Sequence, residues 1–118
     1  MNTPDFNVCV EEQLQRVYAT LVQKAGEYAH GDRLSNFKRP ADMMRMTPEK
    51  VLIGYWMKHI TSILDFVDEL DKGVLRSEDI WAEKITDAQA YLCLLKAFIR
   101  ERHVNMQKDN PPPEIKNG

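Results

Sequence analysis

Apolar residues recur early in the chain at Phe6, Val10, Leu14, Val17, Tyr18, Leu21 and Val22. Steps of three and four draw one stripe on an α-helix. Thr3 as the cap and Pro4 in the first turn mark its start, and the pattern breaks between Gly26 and Gly31, beside His30. Asp32 to Met46 reads as a connection rich in polar and cationic groups (Asp32, Arg33, Asn36, Lys38, Arg39, Arg45), with a short helix around Pro40 to Met44. Long connections inside compact domains often carry function.

A second Thr-Pro pair, Thr47-Pro48, followed by Glu49, opens a helix that runs to about Leu70 and stops before Gly73. Its apolar arc is wide: Leu52, Ile53, Tyr55, Trp56, Met57, Ile60, Ile63, Leu64, Phe66, Val67 and Leu70. Such an arc implies burial on more than one side and predicts the central helix. Ser77 caps the next helix, with Glu78 and Asp79 in its first turn; it carries Trp81, Ile85, Ala88, Leu92, Leu95 and Ile99 and continues to about His103. The reading is one all-α domain over 1–107, an antiparallel bundle of three long helices plus a short connecting one. A flexible tail with Pro111-Pro112-Pro113 follows over 108–118. Three helices do not cover so apolar a central one, which predicts a homodimer or higher homo-oligomer completing a four-helix core.

Composition narrows the class. With 43% hydrophobic and 29% charged residues the chain is globular rather than disordered. A formal charge of −2 gives no bulk attraction to nucleic acid or anionic membrane. The start, Met1-Asn2-Thr3-Pro4-Asp5, lacks the features of a secretory signal, and the run Val51 to Met57 is far too short to span a membrane. Cys9 and Cys93 fit no CxxC pattern and read as reduced, structural residues; the expected address is the cytoplasm.

Two polar groupings carry candidate chemistry. Lys58, Ser62, Asp65 and Glu69 form one stripe on helix two. It is either the solvated side of a buried helix or the wall of a cleft, with Lys58 for a phosphate and Asp65 and Glu69 as oxygen ligands for Mg²⁺. Glu83 and Asp87 stack one turn apart on the last helix, bordering Ala90, Tyr91, Leu94 and Phe98. Carboxylates at an apolar border need a partner: a salt bridge to Lys84 or a helix-two cation, or a bound Mg²⁺. His59, inside the apolar arc, reads as a core histidine, and Met43, Met44 and Met46 as adaptable packing. No zinc spacing, phosphate-binding glycine loop or nucleophile elbow occurs.

The run Lys24-Ala25-Gly26-Glu27-Tyr28, then Asp32-Arg33-Leu34-Ser35-Asn36-Phe37-Lys38, resembles a K-x-x-[DE]-Y … D-R-x-x-N-F signature. That signature belongs to phage-associated nucleotide-modification proteins related to the MazG-like all-α nucleoside triphosphate pyrophosphohydrolases. Lys58, and Glu83-x-x-x-Asp87-x-x-x-Tyr91 on the last helix, extend the likeness over about Lys24 to Leu95. The resemblance implies an oligomerising all-α fold and a Mg²⁺-dependent site cleaving an α–β phosphoanhydride. It implies Glu83 and Asp87 as the acidic residues of the last helix, Lys58 as the helix-two lysine, and Lys24, Tyr28, Asp32 and Asn36 as the loop signature. The chain departs from it where Glu11-Glu12-Gln13-Leu14-Gln15 lacks the third acid of E-E-x-x-E, and where Thr61 and Ser62 replace an arginine expected after Lys58. In the catalytic reading Glu83, Asp87 and one or both of Asp65 and Glu69 hold Mg²⁺, Lys58, Arg33 or Lys38 neutralises phosphates, and Tyr28 or Phe37 stacks a base. The rival readings are a nucleotide sensor without turnover and a non-catalytic helical adaptor of phage or mobile-element origin.

Overall fold

The computed structural model describes residues 1–23 and 31–109. Among them the chain is all-α, without strands: α1 (Thr3–Tyr18), a π-helical turn (Ala19–Gln23), α2 (Ser35–Met44), α3 (Pro48–Asp71) and α4 (Glu78–Asp109). Most boundaries follow from local chemistry. Thr47 Oγ1 accepts from the N–H of Lys50 at 3.4 Å, with Pro48 at the first helical position. Ser77 Oγ accepts from Ile80 N–H at 3.2 Å. Gly73, at φ 77°, closes α3, its N–H bonding the Leu70 carbonyl while Val74 N–H bonds that of Glu69.

Four boundaries differ from expectation. The cap of α1 is Asn2, whose side chain accepts from Asp5 N–H at 2.8 Å, so Thr3 is already helical. The α-helix gives way to π geometry at Ala19, and the glycine break expected between Gly26 and Gly31 lies mostly outside the described residues. The short helix begins at Ser35 and carries Pro40 inside it. Lastly, α4 continues to Asp109, two residues into the expected tail.

The core sits where α2 crosses the α3/α4 hairpin. Leu34, Phe37 and Ala41 of α2 meet Val51 and Leu52 of α3 and Phe98 of α4, and Leu52 is wholly buried. Phe37 is the hub of the aromatic contacts, with ring centres 5.9 Å from Tyr55, 6.0 Å from Tyr91 and 5.9 Å from Phe98. Arg102 grips Glu49 with both arms of its guanidinium at the open end of the hairpin; Phe66 and Trp81 pack edge to face, 5.4 Å apart, near the turn. α1 lies along α4, where Gln13 donates to Thr86 at 2.8 Å and to Gln89 at 3.0 Å.

The expected burial of α3 is not achieved within one chain. Met57 and Leu64 are 58% and 57% exposed, and the α1 stripe shows Phe6, Leu14 and Tyr18 more than half exposed. Met43 and Met44 also face outward, so the packing role read from the sequence fails for them. Cys9 and Cys93 are both exposed and neither fills the core, so the structural role read from the sequence fails for them. No helix among the described residues is long and apolar enough to cross a membrane.

Candidate functional site

A cavity of about 430 Å³ opens between the end of α1, the start of α2 and the middle of α4. The π turn widens the helix at Thr20 and Leu21, both of which line the cavity; such insertions are frequent at functional sites. From the connection before α2 come Asp32 and Arg33, then Ser35, Asn36 and Phe37; from α4 come Asp87, Ala90, Tyr91 and Leu94. Asp32, Arg33 and Asn36, expected from the connection, thus share one cavity with Asp87, expected from the last helix. More than fifty residues separate these groups in the chain.

Local bonding fixes the rim. Asp32 Oδ1 accepts from Leu34 N–H at 2.9 Å, which shapes the entry to α2, and its Oδ2 meets Lys38 Nζ at 2.6 Å. Lys38, and then that backbone N–H, hold the Asp32 carboxyl below the ordinary carboxylate range. Lys38 is also 2.7 Å from Glu101, so it braces α2 against α4 and does not line the cavity. The Arg33 guanidinium donates to the Leu21 carbonyl at 3.1 Å, tying the rim to the π turn.

No family model, no curated protein and no solved structure matches this chain. The site therefore rests on its own geometry.

On the α4 wall, Asp87 lies 3.8 Å from His59 of α3, and the His59 ring stacks on Tyr91 with centres 4.9 Å apart. Burial, then the charge of Asp87, then Tyr55 push the Tyr91 phenol above its ordinary value. His59 is therefore not the isolated core histidine expected: its side chain keeps 28% of its exposure and sits beside a carboxylate. Phe37, expected as a base platform, is only 6% exposed and belongs chiefly to the core. Tyr91, half-buried on the wall, is the more accessible ring.

Asp87 and Thr20 also line a neighbouring hollow with Arg16, Asp79 and Glu83. Asp79 is engaged by Arg16 at 2.8 Å. The two expected carboxylates of α4, one turn apart, thus border one continuous depression. The expected ligands of α3 do not join them. Arg76 holds Glu69 through two bonds of 2.7 Å, and Asp65, exposed, lines neither hollow. Lys58 lies over the Tyr55 ring, 5.8 Å from its centre, outside both hollows. Lys24 and Tyr28 lie outside the described residues.

Among the described residues no three His, Cys, Asp or Glu side chains form a group that could hold a metal ion. The expected set of Glu83 and Asp87 with one or both of Asp65 and Glu69 is therefore not assembled among the described residues. Glu83 and Asp87, which line the same hollow, are the two carboxylates that would complement the oxygens of a phosphate chain carried in with Mg²⁺.

Proposed function

We propose that the protein binds a nucleoside triphosphate, carried in with its Mg²⁺, in the cavity between α1, α2 and α4, as a nucleotide pyrophosphohydrolase of the MazG-like kind. The observation that supports this reading is the meeting of Asp32, Arg33 and Asn36 with Asp87 and Tyr91 around one cavity. Its size suits a mononucleotide, and small-molecule sites combine an apolar lining with a few convergent polar groups.

Leu21, Tyr91 and Leu94 offer the apolar surface for a base or sugar, and Asn36 and Ser35 the hydrogen-bonding groups. Arg33 supplies positive charge at the rim, suited to a phosphate by its forked donors. Glu83 and Asp87 take the cation that accompanies the phosphates, whose charge neutralises the phosphoanhydride oxygens. Asp87, beside His59, is also placed to accept a proton from a water molecule in the depression. The same reading takes the protein to act as a homo-oligomer, because its long helices leave apolar faces that one chain does not cover.

The test is thermal shift with a panel of ribo- and deoxyribonucleotides, with and without Mg²⁺, followed by assay of pyrophosphate release. Stabilisation that needs Mg²⁺ and is lost in Arg33→Ala, with turnover lost in Asp87→Asn, is the expected result. A shift without product leaves a nucleotide sensor. No shift with any nucleotide removes the reading and leaves the helical adaptor.

A further inference from the structure

The α3/α4 hairpin carries two apolar seams with one repeat. On α3, Ile53, Trp56, Ile60, Ile63 and Val67 follow steps of three and four; on α4, Ile85, Ala88, Leu92, Leu95 and Ile99 do the same. This is the heptad spacing of helices that pack side by side over long distances. None of these ten positions is charged. The seams are covered unevenly: Ala88 is buried and Ile53, Trp56, Ile60, Ile63 and Leu95 are half-buried, while Val67 is 45%, Leu92 46% and Ile99 41% exposed.

The two edges of this face differ. Beside the α4 seam, Gln89 and Thr86 are bonded to Gln13, so α1 occupies that edge. Beside the α3 seam, Met57 and Leu64 stand bare, 58% and 57% exposed. We propose that a second copy of this chain covers the face, pairing α3 antiparallel with its own equivalent about a two-fold axis near Ile60–Thr61. The inference rests on the homo-oligomeric part of the proposed function and not on the cavity.

Two observations favour a copy of the same chain over another occupant. First, the two-fold operation sets Met57 of one copy level with Leu64 of the other, so the bare apolar residues meet each other. Second, the same axis sets Lys50 level with Asp71 of the other copy; both are exposed on the outer edge of α3. Gly54 fits the same arrangement. It interrupts the helix interior, where glycine is unfavourable, yet an added Cβ would meet nothing within 4 Å. Nothing in the single chain calls for it, and the axis brings Val67 of the other copy opposite.

Sedimentation velocity on the full chain at micromolar concentration, with circular dichroism to confirm unchanged helicity, tests the proposal. The wild type is expected to be a dimer. Leu64→Lys and Met57→Lys, each replacing a side chain outside the core, should weaken association at least about a hundredfold by burying an unpaired charge. Leu14→Lys on the exposed α1 stripe should leave it intact. Lys50→Asp and Asp71→Lys should each weaken the dimer, and the double variant restore it. A monomeric wild type overturns both the interface and the oligomeric reading. A dimer that survives both lysine substitutions overturns this interface alone. Nucleotide-induced thermal shift of a monomeric variant reports on the cavity separately.

Discussion

Phe37 separates a core role from a ligand role at the site, because its removal has a cost that the packing sets. Its side chain is 6% exposed and its ring meets three others at 5.9 to 6.0 Å. Truncating a buried phenylalanine to alanine costs about 3–5 kcal/mol, more where the hole stays empty. Here the hole would open into a cavity already lined by Asp32, Asn36 and Asp87, so water can enter it. The expected cost of Phe37→Ala therefore lies at the low end, about 3 kcal/mol. For a domain of this length that is a fall in Tm on the order of 10 °C. Phe37→Leu keeps most of the volume and loses the edge-to-face contacts, for about 1–1.5 kcal/mol. Urea unfolding with an unchanged m-value is the assay, at fixed protein concentration because assembly contributes to stability. Nucleotide affinity of Phe37→Leu should stay within about threefold of wild type, an allowance of roughly 0.7 kcal/mol. A Phe37→Ala cost under about 1 kcal/mol, or a Phe37→Leu variant of normal stability that no longer binds nucleotide, would refute the core assignment and restore Phe37 as the base platform.

Two further outcomes follow from the termini and the ion pairs. Arg45 ends α2 at φ 54°, a left-handed conformation that costs a side-chain-bearing residue about 1 kcal/mol relative to glycine. Arg45→Gly should raise stability by about 0.5–1 kcal/mol in urea unfolding; a loss instead would show that the arginine side chain outweighs the backbone strain. The carboxyls of Asp32 and Glu49 are held below their ordinary range chiefly by hydrogen bonds from Lys38 and Arg102. A depressed folded-state pKa gives stability that is complete above the ordinary carboxylate range and lost as pH falls through the depressed values. The acid limb of Tm against pH should therefore flatten in Glu49→Gln and, less so, in the more exposed Asp32→Asn; limbs parallel to wild type would exclude these pairs as its source.

Much of the fold was legible because its signals are local. Thr47-Pro48-Glu49, Ser77-Glu78-Asp79 and Gly73 each act within a turn of their own position, and the helix boundaries they announce are observed. The π turn at Ala19–Gln23 announces nothing in the apolar spacing, which continues through Leu21 and Val22. The meeting of His59 with Asp87 was legible in principle. In an antiparallel hairpin, residues equidistant from the turn lie level, and His59 stands as far before Gly73 as Asp87 stands after it. Treating His59 on its helix alone hid that relation. The capture of Glu69 by Arg76 was hidden for the opposite reason: the arginine lies beyond the helix end, where a helical wheel does not reach.

What the apolar pattern could not settle is which neighbour covers which side, and α4 shows why. One side of it presents Tyr91 and Phe98 to α2 and α3, another presents Ile85, Leu92 and Ile99 to the hairpin's open face, and a third is bonded to α1 through Thr86 and Gln89. A helix apolar on several sides yields no single stripe from which to assign burial. The cavity residues Asp87, Ala90 and Leu94 lie roughly opposite the exposed Ile85, Leu92 and Ile99 on this helix, given its period of about 3.6 residues. Substitutions in the seam therefore need not disturb the cavity, and those in the cavity need not disturb the seam. Assembly and ligand binding share α4 as a rigid element while remaining separable by mutation. If seam variants that stay monomeric also lost nucleotide binding, the two sides of α4 would be coupled through the second copy, and the site would have to be read as shared between chains.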